Sequence, residues 1–231
     1  MANANTEKMC YNGRASQNRE TLLAHLIRPM EKGDLGQVNE IDREAFPSQW
    51  PPPNYRQELQ NRLAHYLVAI DDSRTIAPAA EKPGKKRSGL TARIMYWLKR
   101  SQSRDETKST EPKQYIAGFA GIWLMVDEAH ITNIAVAQEC RRKGIGELLL
   151  IATVDMAREL KARMMTLEVR VSNIPAQSLY SKYGFEKMGT RRGYYLDNKE
   201  DAIIMTMEDI NSAAFRERIE KLRGLLSQKL A

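Results

Sequence analysis

The chain has 231 residues and a mass of 26.4 kDa, which suits one domain with additions or two small domains. Hydrophobic residues make up 42% and charged residues 28%, a balance that excludes collagen-like, disordered and membrane-bundle proteins. The two cysteines, Cys10 and Cys140, exclude a disulfide scaffold and a four-cysteine zinc site. The N-terminus lacks the charged-then-apolar order of a secretory signal, and no apolar run approaches the roughly 20 residues of a membrane span. We therefore predict a cytoplasmic protein with reduced thiols and no transmembrane segment.

The net charge of +7 comes from one segment of the chain. The stretch from Ser73 to Lys113 contains 11 of the 36 basic residues and only 4 of the 29 acidic ones. The rest of the chain is therefore neutral overall. The basic character indicates an insertion and says little about the globular body.

The first part of the chain predicts a loose polar tail over residues 1–20, followed by short regular elements. Asp34 and Gln37 have the spacing of a capping box at the start of an amphipathic helix. Three consecutive prolines cannot continue a helix, so they predict a loop. The predicted elements are a strand at Leu26–Met30, a helix from Asp34, a loop at Phe46–Pro53, a helix at Tyr55–Ala64 and a strand at Tyr66–Ile70.

A basic insertion over residues 71–113 interrupts this pattern. It contains the cluster Lys85-Lys86-Arg87, and Leu90, Ile94 and Leu98 recur at a spacing that predicts a short amphipathic helix. A nucleic acid or a membrane surface would suit such a segment. The alternative is a solvated loop without a partner.

The second part of the chain alternates strands and helices. Within one strand, Met165, Leu167, Val169 and Val171 alternate with Thr166, Glu168 and Arg170, so the two sets are predicted to lie on opposite faces. The predicted elements are paired strands at Tyr115–Val126 and Ala129–Val136, a helix at Gly146–Ala162, a strand at Met164–Val171, a helix from the Asn173 cap to Tyr183 with Gly184 as its stop, strands at Tyr194–Tyr195 and Ala202–Met207, and a helix from Ser212 with Phe215, Ile219, Leu222 and Leu226 on one stripe.

This order predicts a layered α/β (α+β) domain over residues 21–210. The amphipathic helix at 211–231 follows the domain. We expect this helix to pack on the domain, with dimerisation as the second option, so the protein is predicted to be a monomer or a weak dimer.

A strand that ends at Ile134, Ala135 and Val136 leads through a basic, glycine-containing turn directly into the long helix. The turn consists of Arg141, Arg142, Lys143, Gly144, Ile145 and Gly146. Glycines allow close approach of the backbone to a ligand, and the unpaired N–H groups of a helix N-terminus favour an anion. The pattern suits a pyrophosphate. It is neither a nucleotide P-loop nor a dinucleotide fingerprint, and an ordinary turn with solvated arginines is the alternative.

These residues resemble the GNAT acetyltransferases. The loop matches the acetyl-coenzyme A loop of that family, written R/Q-x-x-G-x-G/A. Further matches in order resemble its RimI branch, the ribosomal-protein alanine N-acetyltransferases. They are DEA at Asp127–Ala129, NIAV at Asn133–Val136, LEVRVSN at Leu167–Asn173, Leu179-Tyr180, YGF at Tyr183–Phe185, RRGYY at Arg191–Tyr195 and EDAIIM at Glu200–Met205. The resemblance covers about Ile27 to Met207 apart from the insertion.

The resemblance implies a mixed, mostly antiparallel sheet flanked by helices and splayed where acetyl-CoA enters, with no metal. It implies that Glu168 is the base and Tyr180 the acid. A backbone N–H near Val136 would hold the oxyanion. Acetyl-CoA would be bound by the residues of Ile134–Val136 and Arg141–Gly146, together with Asn173. The peptide would be bound by the loops Phe46–Tyr55 and Arg191–Tyr195, with Tyr194 and Tyr195 as its contacts. The implied substrate is the N-terminal peptide of a small-subunit ribosomal protein that begins with alanine.

Taken one by one, these side chains allow simpler roles. Glu168 could be a surface carboxylate paired with an arginine, and Tyr180 a half-buried aromatic residue. Tyr194 and Tyr195 could simply pack as aromatic residues across strands. Tyr183 is predicted to be a packing residue. The three histidines, His25, His65 and His130, lack metal-ligand spacing. The competing functions are acetylation of lysine or another small amine, and a non-catalytic module that binds coenzyme A on the ribosome.

Overall fold

The computed structural model describes residues 25–47, 53–76 and 113–230. The predicted tail at 1–20, the cluster Lys85–Arg87 and the predicted helix through Leu90 and Leu98 lie outside the described residues. The described residues fall into two compact units: residues 25–47, 53–73 and 116–230 belong to the first, and residues 74–76 and 113–115 belong to the second. In the second unit the Arg74 guanidinium lies 5.2 Å from the centre of the Tyr115 ring.

The described residues form one seven-stranded sheet with helices between the strands. The sheet order is β1-β2-β3-β4-β5-β7-β6. The strands are β1 (His25–Pro29), β2 (Ala64–Ile76), β3 (Lys113–Met125), β4 (Glu128–Val136), β5 (Met164–Arg170), β6 (Glu186–Tyr195) and β7 (Glu200–Met207). The helices are α1 (Leu35–Ala45), α2 (Tyr55–Glu58), α3 (Ile145–Glu159), α4 (Ile174–Tyr183) and α5 (Ala213–Leu230).

One strand pair determines where the sheet opens. The strands β4 and β5 pair in parallel, whereas β1–β2, β3–β4, β5–β7 and β6–β7 are antiparallel. The parallel pairing runs only from Glu128 opposite Met164 to Ile131 opposite Leu167, although β4 continues to Val136 and β5 to Arg170. The two strands therefore diverge beyond Ile131 and Leu167. The predicted mixed, mostly antiparallel and splayed sheet is confirmed.

The core lies mainly between the sheet and α3. Leu149, Leu150 and Val154 of this helix are fully buried. The predicted stripe on α5 also faces the core, because Phe215, Ile219 and Leu226 are buried. Burying an apolar side chain of this size stabilises the folded state by about 1.5–3 kcal/mol.

The tail helix is also held to the domain by polar contacts. The Arg223 guanidinium donates to Asp155 of α3 at 2.7 Å, and Arg218 donates to the carbonyl of Lys182 at the end of α4 at 2.9 Å. The prediction that this helix packs on the domain is confirmed.

Two predictions in the first part of the chain are wrong. The capping box does not form, because the Asp34 carboxylate accepts from Arg28 and from the Glu31 N–H, and Gln37 accepts from the Ile116 N–H. The helix predicted at Tyr55–Ala64 ends at Glu58.

The early end of α2 has a local cause. Asn61 accepts from the Leu63 N–H at 3.1 Å, and the Ala64 N–H bonds to the Asn61 carbonyl at 3.1 Å. Asparagine favours such turns, which here direct the chain into β2.

Strand ends were also predicted less well than strand centres. Val171 lies just past β5 and is 44% exposed, so it does not continue the buried row of that strand. The strand β6 begins at Glu186, well before the predicted start at Tyr194. It is an edge strand with almost every residue exposed, so no hydrophobic alternation marks it in the sequence.

Gly144 gives a test of how the tail helix and the basic turn fit together. Its φ is +87°, and a Cβ added there would lie 3.0 Å from Leu226 Cδ1 and 3.1 Å from Leu230 Cδ2. We expect Gly144→Ala to lower the free energy of unfolding by about 1–2 kcal/mol, because an L-residue is strained in this conformation. Urea unfolding measures this change.

The matched control is Gly224→Ala, within α5, where an added Cβ meets nothing within 4 Å. This variant should be more stable than the wild type by about 0.5–1 kcal/mol, because alanine favours a helix interior. If Gly144→Ala and the wild type unfold at the same urea concentration, the close packing of Gly144 against the tail helix is contradicted.

Candidate active site

A cleft of about 890 Å³ lies where β4 and β5 diverge. Four parts of the chain contribute to its lining: His130–Ile134 of β4, Leu167–Arg170 of β5, Asn173, Ala176 and Tyr180 at α4, and Tyr194–Asn198 at the end of β6 and just beyond it. Phe46 and Pro47 also line it. The cleft therefore brings together Glu168, Tyr180, Asn173, Tyr194 and Tyr195, which the sequence predicted as site residues.

Glu168 lies inside this cleft with both carboxylate oxygens engaged. Its side chain is only 7% exposed. Oε2 lies 3.1 Å from His130 Nε2, and Oε1 lies 3.1 Å from an Arg191 Nη atom. The His130 hydrogen bond, followed by the charges of His130 and Arg191, holds the pKa of Glu168 below its ordinary value of 4.5, although burial acts in the opposite direction. Glu168 is thus an ionised carboxylate at neutral pH that is both enclosed and paired.

His130 connects Glu168 to a second carboxylate. Its Nδ1 atom lies 2.9 Å from Thr166 Oγ1, and the Thr166 hydroxyl donates to Glu128 Oε1. The parallel register places His130 beside Thr166. In the sequence, His130 stood out only as a candidate metal ligand, so this arrangement was not predicted.

Tyr180 and Tyr183 take different roles on α4. Tyr180 lines the cleft, its ring packs edge-on against Phe185 at 5.7 Å, and burial raises the pKa of Tyr180 to about 12. Its hydroxyl therefore keeps its proton at neutral pH. Tyr183 is fully buried, and its hydroxyl donates to Glu147 at 2.7 Å. The prediction that Tyr183 is a packing residue is confirmed.

The start of α4 is fixed by two side chains. Asn173 caps the helix and accepts from the Ala176 N–H at 3.3 Å, as predicted, and it also lines the cleft. Gln177, which the sequence analysis did not single out, donates to the carbonyls of Arg170 and Val171 at 2.9 and 2.8 Å. These bonds hold the helix N-terminus at the end of β5.

The basic turn has the backbone of an anion site. Arg142 has a φ of +65° and Gly144 a φ of +87°, so the turn folds tightly just before α3 begins at Ile145. The side chains of Arg141, Arg142 and Lys143 are exposed. The first N–H groups of α3 have no helical partner, which favours an anion at this point.

Two of the predicted acetyl-CoA contacts face the core with their side chains. Ala135 is 4% exposed and Ile145 is 1% exposed, so their side chains are not available to a ligand. Ile134 lines the cleft. Gly146 lies near Val136, because an added Cβ would lie 3.6 Å from Val136 Cγ2.

The polar backbone groups of Val136 face the gap between β4 and β5. The Ala137 N–H bonds to the Ala117 carbonyl of β3, and N–H groups of successive strand residues point in opposite directions. The Val136 N–H and C=O therefore point away from β3. Consistently, Arg141 Nε donates to the Val136 carbonyl at 3.2 Å.

The paired tyrosines form one wall of the cleft. Their rings are perpendicular, with centres 5.2 Å apart. The Arg170 guanidinium lies 3.8 Å from the Tyr195 ring centre, and Arg191 lies 5.6 Å from that of Tyr194. Arg170 is in turn held by Asp197 and Glu200. The loop predicted to face them contributes Phe46 and Pro47, and its residues 48–52 lie outside the described part.

Tyr55, at the end of that loop, does not line the cleft. Its ring is 2% exposed, and its hydroxyl donates to Asp42 and accepts from Asn133. Tyr55 therefore anchors α2 to β4 and is not available to a peptide.

Within residues 25–47, 53–76 and 113–230, no group of three or more His, Cys, Asp or Glu side chains could hold a metal ion. No helix in the same ranges is long and apolar enough to cross a membrane.

Comparisons with known proteins agree with this geometry. Residues 92–185 match the model of the acetyltransferase (GNAT) family. A Bacillus subtilis (strain 168) protein, provisionally named a ribosomal protein bS18 alanine N-acetyltransferase, is 37% identical over 180 residues, which are 78% of this chain and 92% of that protein. The chain therefore belongs to the GNAT acetyltransferase family. It is an acyltransferase, and its cosubstrate is acetyl-CoA.

Two further relatives show the same relationship. An N-alpha-acetyltransferase of Saccharolobus solfataricus is 30% identical over 183 residues, covering 78% of this chain and 90% of that protein. The crystal structure of the ribosomal-protein-S18-alanine N-acetyltransferase from Escherichia coli aligns with a TM-score of 0.56 and 26% identity, covering 80% of this chain and 94% of that one.

The Arg191–Glu168 contact predicts a measurable shift. We expect Arg191→Gln to raise the pKa of Glu168, because a cation that favours the ionised carboxylate is removed. Because the pKa of Glu168 is lowered in the folded state, this carboxylate stabilises the folded protein above pH 4.5. The stabilisation is lost as the pH falls through the folded-state pKa. In Arg191→Gln this loss should begin at a higher pH. Carbon NMR titration of labelled glutamate measures the pKa.

Arg192→Gln is the matched control, because Arg192 is the next residue of the same exposed strand and the charge change is equal. It should leave the Glu168 titration unchanged. Identical titrations in the two variants would show that Arg191 does not act on this carboxylate.

Proposed function

We propose that this acyltransferase acetylates the α-amine of a protein N-terminus, with the N-terminal alanine of a small-subunit ribosomal protein of the bS18 type as its substrate. The observation that carries the proposal is that Glu168 and Tyr180 line one cleft together with the paired tyrosines. The names of the Bacillus subtilis and Escherichia coli relatives support this choice of substrate. A ribosomal substrate implies a cytoplasmic enzyme, and the basic insertion would then contact ribosomal RNA.

The first requirement of the reaction is removal of a proton from the amine. An α-amine has a pKa near 8, whereas a lysine side chain has a pKa of about 10.4. Glu168 accepts this proton, and its ionised form attracts the incoming ammonium group. Arg191 occupies Oε1 in the free enzyme, and its half-exposed side chain moves aside when the amine binds there.

The second requirement is a site for the acetyl group and its charge. Acetyl-CoA supplies the acetyl thioester. The turn Arg141–Gly146 and the start of α3 suit its pyrophosphate, and Asn173 lies at the rim of the cleft. The Val136 N–H, which points into the gap between β4 and β5, donates to the carbonyl oxygen as negative charge develops on it.

The transfer is direct in this proposal. The amine nitrogen bonds to the acetyl carbon, the carbon–sulfur bond breaks, and Tyr180 donates its proton to the departing sulfur. Tyr194 and Tyr195 hold the first residues of the peptide against the cleft wall.

Three variants test this assignment. Glu168→Gln and Tyr180→Phe should each lower kcat by about 10²–10⁴ while acetyl-CoA binding is kept, because general acid–base groups contribute that much to a rate. Tyr183→Phe is the control, since Tyr183 is buried away from the cleft lining and bonded to Glu147. It should keep kcat. Initial rates measure turnover, and calorimetry measures binding.

Mass spectrometry of peptides that begin with Ala, Ser or Met and contain an internal lysine identifies the acetylated amine. Acetylation of the N-terminal amine, strongest for alanine, is the expected result. Acetylation of only the lysine side chain would show that the enzyme acts on another amine. Tight acetyl-CoA binding without turnover of any peptide would favour a non-catalytic module.

A further inference from the structure

The edge strand β6 contains a bulge at the wall of the cleft. Arg191 of β6 pairs with Ala202 of β7. The next paired residue of β6 is Tyr195, which lies opposite Glu200. Between these two pairs β6 has three residues, whereas β7 has only Asp201. A regular antiparallel pair would have one residue on each strand at this point, so β6 accommodates two additional residues beside the cleft.

The bulge changes the direction of one aromatic side chain. Successive residues of a regular strand face opposite sides of the sheet, so Tyr194 and Tyr195 would lie on different faces. Instead both line the cleft, with perpendicular rings whose centres are 5.2 Å apart. The Arg191 guanidinium, which contacts Glu168, lies 5.6 Å from the Tyr194 ring centre. The bulge therefore adds Tyr194 to the face of the sheet that carries Glu168.

Two features hold the bulge in this shape. The Gly193 N–H donates to Asp201 Oδ1 at 2.7 Å, so a side chain replaces the strand pairing that is lost there. Gly193 also has a φ of +57°, which glycine adopts without strain. The Asp201 side chain is not part of the cleft lining. Asp201 can therefore act on the cleft only through the backbone of the bulge.

The two tyrosines are held in place by different contacts. The Arg170 guanidinium lies 3.8 Å from the Tyr195 ring centre and is itself bound by Asp197. The cation beside Tyr194 is Arg191, which leaves Glu168 in the proposed reaction. Arg191 therefore gives Tyr194 no lasting support, and the position of Tyr194 depends on the bulge.

We infer that Asp201 is a positioning residue for peptide binding, because its hydrogen bond to the Gly193 N–H holds the bulge that places Tyr194 on the cleft wall. The inference rests on the proposed function, in which Tyr194 and Tyr195 hold the first residues of the peptide. An aromatic ring offers a large apolar surface to an extended peptide. A small amine lacks the residues that would contact this surface. The bulge therefore favours a peptide N-terminus over a small amine.

Asp201→Ala tests this role, because it removes the acceptor of the bond and leaves Glu168 and both tyrosines in the chain. We expect the KM for a peptide that begins with alanine to rise about tenfold, the upper range for a lost aromatic contact. The kcat and the KM for acetyl-CoA should stay nearly unchanged, since only peptide binding is weakened. Asp201→Asn keeps an oxygen acceptor and should recover most of the wild-type KM.

The matched control is Glu208→Ala, which removes an exposed carboxylate just past the end of β7. It should keep the peptide KM. A small amine offered as the alternative substrate should be acetylated equally well by Asp201→Ala and the wild type, because it does not reach the tyrosine wall.

A double-mutant cycle shows whether Asp201 acts through Tyr194. Tyr194→Ala should raise the peptide KM strongly in the wild type and hardly at all in Asp201→Ala, because the contact is already lost in that variant. Two independent effects would instead multiply in the double variant, and that result would overturn the inference.

NMR of protein with labelled tyrosine rings reads the position of Tyr194 without turnover. The Tyr194 signals are those absent from Tyr194→Phe. In the wild type the ring protons of Tyr194 and Tyr195 should show a strong nuclear Overhauser effect, because the ring centres are 5.2 Å apart. This effect should be lost in Asp201→Ala and kept in Asp201→Asn.

The remaining outcomes are equally decisive. An unchanged peptide KM in Asp201→Ala would overturn the inference, as would a ring contact that persists in this variant. Equal KM values for Asp201→Asn and Asp201→Ala would also overturn it, because they would assign the effect to the charge and not to the hydrogen bond. Failure to acetylate any α-amine would overturn the proposed function alone, because the ring contact still decides whether Asp201 positions Tyr194.

Discussion

The end of the β4–β5 pairing determines nearly everything else in this molecule. Four residue pairs, from Glu128–Met164 to Ile131–Leu167, hold the two strands together, and beyond them the strands diverge. The divergence leaves the Val136 N–H without a β5 partner strand and opens the cleft that encloses Glu168. The same paired half carries His130 and Thr166 side by side. The cleft around Glu168 and the side chains that hold its carboxylate thus both result from the point at which the β4–β5 pairing ends.

The cleft combines rigid and movable parts. Its carboxylate lies on a central strand, and Gln177 holds the start of α4 to the end of that strand. Arg191, by contrast, lies on the edge strand β6 with its side chain 54% exposed. The group that we propose to leave when substrate binds therefore lies at the exposed edge of the sheet.

Sequence alone predicted the features with local causes. The helix α4 has the predicted cap at Asn173 and the predicted stop at Gly184, because both signals act within a few residues. Strand alternation placed Glu168 opposite the buried face of β5. The links from His130 to Thr166 and Glu128 were missed, because they depend on the register between two strands that the long helix α3 separates in the chain. No local pattern encodes that register.

We propose that Glu168 receives the amine in the cleft after Arg191 leaves. A crystal structure with an alanine peptide joined to coenzyme A tests it most directly. We expect the peptide nitrogen within hydrogen-bond distance of Glu168 Oε1, the acetyl oxygen at the Val136 N–H, and the Arg191 guanidinium displaced. A structure in which Arg191 still binds Glu168 while the peptide nitrogen lies elsewhere would contradict it.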